Sequence, residues 1–490
     1  MAQPTPSFEW SASAIRDAGA ELFARIAEHL STLPRGPVFR PVPPALAARA
    51  QSEAPRGGVP LAALFEELEE RLLAHPFGNG HPRFFGWVNS PPAPIGVVAA
   101  AMAAAINPSV AGGNHGAVYI EREVLDWFKQ IVGWPATAGG LLVSGGSAGA
   151  LTALTVARHQ ACAARGWNVR TEGLQDSLLR PRLVIYAGEQ VHGCHQKAIE
   201  LLGLGSRQIR TIASDAALRL RPDALDQAIA EDLKAGHLPV AVIATAGTVN
   251  TGVIDPLASI ADVCARYGVW LHVDGAYGAP ARLLADFESE LAALARADSV
   301  AMDPHKWLYV PVDCGVVLVR DAAAMRDAFS LVPPYLRTDG DPSGVQGPPW
   351  FSEFGFEQTR PFRALKAWMT LKYFGLDGYR DLLTHDVAGA ARLADRVRAT
   401  PALELWTPCG LSIVCFRVRA APGVPPDASD ALNRRVLEAV QLSGQAFLSS
   451  TVLAGRFWLR ACIVNPRTRE TDVDALLAAV MDAVDRVGLP

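Results

Sequence analysis

Between Leu141 and Arg320 the chain repeats one pattern: a short run of consecutive apolar residues, a turn rich in glycine or hydroxyl groups, then a stretch with helical apolar spacing. The runs are Leu141-Leu-Val-Ser, Leu183-Val-Ile-Tyr-Ala, Val240-Ala-Val-Ile-Ala-Thr, Val269-Trp-Leu-His-Val, Ser299-Val-Ala-Met and Gly315-Val-Val-Leu-Val-Arg, and the helical stretches cover about 148–164, 194–202 and 257–267. A strand with one face in water alternates apolar and polar residues. These runs do not, so both faces must be covered. Intervening helices supply the cover and the crossovers. The pattern predicts an α/β fold with a mostly parallel central sheet and helices on both faces. Ligands of such sheets bind outside the C-terminal strand ends, so the turns after the apolar runs are where chemistry is expected.

The flanks differ. Residues 11–30 carry apolar residues at helical spacing (Ile15, Leu22, Phe23, Ile26, Leu30), a proline-rich connector follows, and a second helix is predicted over 61–73. Two helices and a strap make a poor core of their own. Residues 1–90 are therefore read as an N-terminal helical segment that wraps another subunit. Residues 91–366 form the large domain, interrupted over about 329–350 by a loop too long and too rich in Pro, Gly and Asp for a plain connection, and read as mobile. Residues 367–490 form a small C-terminal α+β domain, with strands at 411–418 and 456–464 and a helix from 471 to about 487.

The 490 residues, half of them hydrophobic, suffice for such a multidomain core. A net charge of −4 with scattered arginines points to no nucleic-acid or anionic-membrane partner. Seven cysteines, mostly in apolar runs, show neither C-x-x-C nor zinc spacing. They read as buried reduced thiols, which fits the cytoplasm, and no metal is expected. The N-terminus lacks the basic start and apolar core of a signal peptide. The apolar run 95–106 is too short to span a bilayer.

One pair of turns carries the most chemistry. Asp274 ends the strand in Trp270-Leu-His-Val-Asp-Gly-Ala-Tyr-Gly278, and Lys306 follows the next strand in Met302-Asp-Pro-His-Lys-Trp-Leu308. A lysine amine can hold an aldehyde as a Schiff base, and a carboxylate can keep a pyridine nitrogen protonated, which together are the requirements of pyridoxal 5′-phosphate. Ser144-Gly-Gly-Ser-Ala-Gly-Ala150 follows a strand and opens a helix, where free backbone N–H groups can take the phosphate, with Gly146, Ser147 and Ala148 nearest. His192, at a strand end, could stack on the cofactor ring. The Thr248 hydroxyl could bond the Asp274 carboxylate or a cofactor substituent, or simply cap its turn. Ala276 could pack on the other ring face. His305 could touch the phosphate or tune Lys306, and the Tyr335 phenol could deliver a proton. Phe84, Phe85 and Trp87, in His81-Pro-Arg-Phe-Phe-Gly-Trp87, either line a pocket for an aromatic substrate or belong to the core.

These motifs, with Val191-His-Gly-Cys-His-Gln-Lys-Ala198 and Pro361-Phe-Arg-Ala-Leu-Lys366, resemble the group II pyridoxal phosphate-dependent decarboxylases, and among them the aromatic-L-amino-acid decarboxylases, over nearly the whole chain. The resemblance implies a type I (aspartate aminotransferase-like) fold. It implies α-decarboxylation of an L-amino acid of the Trp, Tyr, Phe or DOPA type to the amine and carbon dioxide, in a homodimer with shared active sites. It assigns Lys306 as the Schiff-base lysine, Asp274 as the pyridinium partner and His192 as the stacking base. Thr248, Ala276 and His305 become cofactor contacts, Ser147 a phosphate contact and Tyr335 the proton donor on a mobile loop.

Four positions depart from the family pattern. Asp303 stands where animal enzymes have Asn, and Ala148 where a Glu is expected. Ala111 lies near the place of a bulky aromatic substrate contact, and Thr359 where a small residue helps sort substrates in plant relatives. An acidic or other aliphatic substrate, or oxidative decarboxylation–deamination to an aldehyde, are the alternatives. Tyr335 argues against the oxidative one.

Overall fold

Strands form at the predicted apolar runs, and their direction is set by what joins them. The structure, a computed structural model, describes residues 8–175, 180–331 and 344–488. In chain order the strands are β1 (Phe84–Phe85), β2 (Gly139–Val143), β3 (Leu183–Gly188), β4 (Ile209–Ile212), β5 (Leu238–Thr245), β6 (Trp270–Asp274), β7 (Ser299–Met302), β8 (Gly315–Val319), β9 (Leu403–Leu405), β10 (Ile413–Val418), β11 (Phe447–Leu453) and β12 (Arg456–Cys462). The chain divides into two compact units. One comprises Val88–Ala391 and Trp406–Val414, the other Met1–Trp87, Arg392–Leu405 and Cys415–Pro490.

The larger unit is built on a seven-stranded sheet in the order β2-β8-β7-β6-β5-β3-β4. β3, β4, β5, β6 and β7 pair in parallel, while β8 is antiparallel to both β2 and β7. The sheet is thus mostly parallel, as expected. Every residue of β2, β3, β5, β7 and β8 is buried, which is what unbroken apolar runs require. The crossover helices begin at Gly146–Ala163, Gly193–Leu201 and Leu257–Tyr267, within two residues of their predicted starts. β4, an edge strand carrying Arg210 and Thr211, was not expected. Because β2 and β7 both oppose β8, the ends of β2, β3, β5, β6 and β7 all open on one edge of the sheet.

The helix Ala364–Ala399 is interrupted at Gly375, whose φ of 64° is left-handed. Residues 367–391 belong to the larger unit, not to the C-terminal part as the boundary at 366 supposed. Trp307 Nε1 and Tyr309 OH both donate to Asp386 Oδ2, at 2.9 and 2.6 Å, and Tyr379 OH donates to the Leu308 carbonyl at 2.8 Å.

In the smaller unit the expected C-terminal elements appear as β10, β12 and the helix Glu470–Val487. The sheet order is β1-β11-β12-β10-β9, with β1 parallel to β11. Residues preceding 88 therefore pack with C-terminal residues of the same chain. Phe84 stacks on Phe447 (centroids 5.2 Å apart) beside Phe39, Phe77 and buried Val38. The helix Ala12–Thr32 buries no residue, and Ile15, Leu22 and Phe23 are exposed. Among the described residues no helix is long and apolar enough to cross a membrane.

Candidate active site

The open strand edge gathers the predicted residues of the larger unit. Asp274 ends β6, and the turn after β7 carries Asp303, His305 and Lys306. The loop after β2 leads into the helix Gly146–Ala163, His192 follows β3, and Thr248 follows β5.

The Lys306 turn is held from beneath. Trp307 is fully enclosed, stacks on Tyr277 (4.9 Å, 28°) and bonds to Asp386, while Tyr277 OH is 2.5 Å from Ser412 Oγ. Lys306 Nζ lies 2.9 Å from Asp303 Oδ2. Burial disfavours its charge, but the Asp303 and Asp274 carboxylates outweigh that and hold its pKa above the ordinary lysine value. His305 Nε2 is 3.7 Å from the same Asp303 oxygen, and its Nδ1 accepts from the Cys314 amide at 3.2 Å.

The glycine loop approaches this turn closely. A Cβ at Gly146 would lie 3.1 Å from Asp303 Oδ2 and 3.3 Å from the Ala276 methyl, and one at Gly145 would lie 3.1 Å from His305 Cε1. A Cβ at Gly315, the first residue of β8, would meet the Gly145 backbone at 2.5 Å. No side chain caps the helix Gly146–Ala163, which leaves its first N–H groups, including those of Ser147 and Ala148, facing the open edge. Asp303 Oδ1 is buried and without a partner among the described residues.

Asp274 is 8 % exposed. Its Oδ2 is 2.8 Å from His195 Nε2, and its Oδ1 accepts from the Ala276 amide at 3.1 Å. Burial would raise this carboxyl's pKa, but the His195 bond and charge, with Lys306, drive it well below the usual range. Of the readings open for Thr248, the turn is the one formed: its hydroxyl is 3.1 Å from that of Thr251, and its amide bonds back to the Val253 carbonyl. His195 had been quoted in a motif but given no role. Its signal was the spacing: His192 caps the helix Gly193–Leu201, so a residue three further on points back past the cap toward the neighbouring strand.

His192 caps through Nδ1, which accepts the Cys194 N–H at 3.2 Å, and a hydrogen bond to the Cys194 side chain raises its pKa. Its ring is exposed on the open edge. Ala111 and Thr359 lie on segments joined by Arg360. This residue donates to the Val110 carbonyl at 3.0 Å, the Leu142 carbonyl at 2.6 Å and buried Glu121 at 2.5 Å. Thr359 itself is exposed, and the Ala111 carbonyl accepts from the Ser352 amide at 3.0 Å. Neither Arg360 nor Glu121 had been singled out. Phe84 and Phe85 are buried in the smaller unit and Trp87 is half-exposed, stacked on Phe77. Tyr335 lies outside the described residues, as does much of the 329–350 loop.

The arrangement fits pyridoxal phosphate. Bare glycines and open helix N–H groups can accept an anion, a buried carboxylate stands at one strand end, and an amine stands beside it at the next. The Asp303 charge, unwelcome near a phosphate, is matched by the Lys306 amine.

A family profile for the pyridoxal-dependent decarboxylase conserved domain matches residues 43–419. The chain is 33% identical over 486 residues to an aromatic-L-amino-acid decarboxylase of Bacillus atrophaeus, covering 99% of this chain and 98% of the relative. It is 32% identical over 428 residues to an L-2,4-diaminobutyrate decarboxylase of Rhizobium meliloti, covering 87% of this chain and 82% of the relative. Its fold is similar to the crystal structure of Oryza sativa TDC with PLP and tryptamine, with a TM-score of 0.90, 27% identity, and 98% and 99% of the two chains covered.

Proposed function

We propose that this chain, which belongs to the pyridoxal-dependent decarboxylase family, takes an aromatic L-amino acid as substrate and releases the corresponding amine and carbon dioxide. It is a pyridoxal phosphate-dependent amino-acid decarboxylase of the type I fold. The substrate class and the roles of individual residues are our reading. The observation that carries the roles is the placement of Asp274 and Lys306 at the ends of adjacent parallel strands, with Lys306 Nζ already held by a carboxylate at 2.9 Å.

When bound, pyridoxal phosphate supplies an electron-withdrawing ring that accepts the electron pair left as the α-carboxylate departs as carbon dioxide. Lys306 Nζ would hold its aldehyde carbon and yield it to the substrate amine. The Gly146, Ser147 and Ala148 amides would hold the phosphate. Asp274 would keep a proton on the ring nitrogen. His192 and Ala276 would bound the two ring faces, and His305 would steady the turn under Lys306. The proton that replaces carbon dioxide on the α-carbon is assigned to Tyr335 by the resemblance alone.

The aromatic reading is supported by the Bacillus relative, which matches nearly end to end. A second reading, an aliphatic diamino acid, is supported by the Rhizobium relative at nearly the same identity. We also read the chain as a homodimer, because the helix Ala12–Thr32 leaves its apolar residues uncovered. The test is a panel assay of the loaded enzyme, measuring carbon dioxide and amine from tryptophan, tyrosine, phenylalanine, DOPA, 2,4-diaminobutyrate and glutamate. The aromatic reading expects the highest kcat/KM among the first four. A preference for 2,4-diaminobutyrate or glutamate would replace it.

A further inference from the structure

We infer that His195 is a positioning residue for the cofactor ring: its imidazole fixes the Asp274 carboxylate from behind and thereby sets how firmly the ring nitrogen keeps its proton. The inference rests on the reading of Asp274 given above.

The two residues come from different elements, the first turn of the helix Gly193–Leu201 and the end of β6. His195 is 1 % exposed, and its Nε2 meets Asp274 Oδ2 at 2.8 Å, so water does not compete for this bond. A carboxylate only accepts, so Nε2 carries the proton. With the Ala276 amide on Oδ1, both oxygens are tied and the carboxylate plane cannot turn. The other imidazole nitrogen, Nδ1, is enclosed and has no hydrogen-bond partner among the described residues. The ring is therefore oriented by Asp274, by the Cys194 side chain beside it and by packing. A histidine serving only as filler would leave the carboxylate free to rotate; this one fixes it.

The charged surroundings make the bond matter. Facing the pair are Cys194 on the same helix, His272 on β6 with its ring centroid 5.5 Å from that of His195, and Lys306 from the turn after β7. Burial pushes the His272 pKa down to about 3, so it is neutral and adds no charge. Burial alone would also neutralise His195, but the Asp274 bond holds its pKa up instead. The Asp274 carboxylate is thus shared between an imidazole behind it and whatever stands in front. Loss of the imidazole would leave it burying its charge with one bond fewer, so it would take up a proton more readily and hold the ring proton less well.

The test uses the protein loaded with pyridoxal phosphate carrying nitrogen-15 in the ring, whose chemical shift reports the proton on that nitrogen. In the wild type the shift should be that of a protonated ring throughout the neutral range. His195→Leu should move it toward the unprotonated value as pH rises, and should weaken cofactor retention roughly tenfold, the scale of one lost charge-assisted hydrogen bond. His195→Gln sets a donor N–H near the place of Nε2 and should restore most of both. Should the Leu variant not fold, the imidazole nitrogens of the cofactor-free wild type still decide: Nε2 is expected to be protonated at neutral pH, and a bare Nε2 overturns the inference. Asp274→Ala separates the two readings. If it strips the ring proton while His195→Leu leaves the wild-type shift, the role of Asp274 stands and that of His195 is refuted. If neither variant moves the shift, both are refuted.

Discussion

Lys306 Nζ and Asp303 Oδ2 are 2.9 Å apart, so the amine we propose as the aldehyde's partner is itself held as a cation by its neighbour. Only the unprotonated amine is a nucleophile, and the raised pKa makes that form scarce at neutral pH. Capture of pyridoxal phosphate by the cofactor-free chain should therefore accelerate with pH to beyond the ordinary lysine value of about 10.4. Asp303→Asn removes the nearest opposing charge and should move the midpoint of this profile downward, with a gain near neutrality of roughly tenfold per pKa unit. Stopped-flow absorbance across pH would measure it, and an unmoved midpoint would exclude Asp303 as the cause.

Borohydride reduction of the loaded enzyme should leave the cofactor attached to Lys306 alone, as read by peptide mapping. Lys306→Ala should nearly abolish turnover while the phosphate cradle still binds free pyridoxal phosphate weakly. An adduct mapped to another lysine would remove the assignment.

Arg360 and Glu121 form an ion pair that is 1 and 0 % exposed. Arg360→Met should destabilise the chain by roughly 3–5 kcal/mol, because Glu121 is left enclosed without its counter-charge and must stay unpaired or take up a proton. The double variant with Glu121→Met should recover much of the loss. Denaturant unfolding followed by tryptophan fluorescence would test this. A single variant as stable as wild type would mean that the pair contributes nothing.

Tyr335→Phe tests the resemblance directly. Amine production should fall while substrate binding survives, and aldehyde and peroxide should rise with oxygen uptake. If the variant makes amine at the wild-type rate without consuming oxygen, the proton comes from elsewhere.

Light scattering at assay concentration should give a dimer. Phe23→Glu alters an exposed apolar residue on the helix Ala12–Thr32. It should lower dimer stability and activity together without unfolding the monomer. A fully active monomer would contradict the shared-site reading.

Elements whose burial follows from composition could be read in advance, and those set by partnership could not. β5 was legible because eight consecutive residues from Leu238 are buried. β4 was not, since Ile209-Arg-Thr-Ile has polar residues on a partly exposed edge. The reversal of β8 did leave a trace, because the twelve residues between Met302 and Gly315 carry turns and no crossover helix. The candidate cofactor residues Asp274 and Lys306 stood out in sequence as a rare pairing at strand ends. His195, Arg360 and Glu121 were invisible as a class: a charged residue enclosed by protein looks in sequence like one on the surface until its partner, 79 residues away for His195 and 239 for Arg360, is known. Thr248 stayed open in sequence because a turn hydroxyl has several acceptors within reach and only geometry chooses.

The sheet order carries a consequence for how the molecule comes to exist. β2, the first strand of the large sheet to leave the ribosome, has β8 as its one neighbour among the described residues, and β8 is the last to be made. Until residue 319 has been synthesised, β2 has no ladder to join, and the glycine loop it carries has no fixed position opposite Lys306. The intervening strands can assemble earlier, each from β4 onward upon a strand already made. The loop proposed to receive the phosphate is therefore set in place by the last strand of the sheet, so its geometry depends on the sheet being whole.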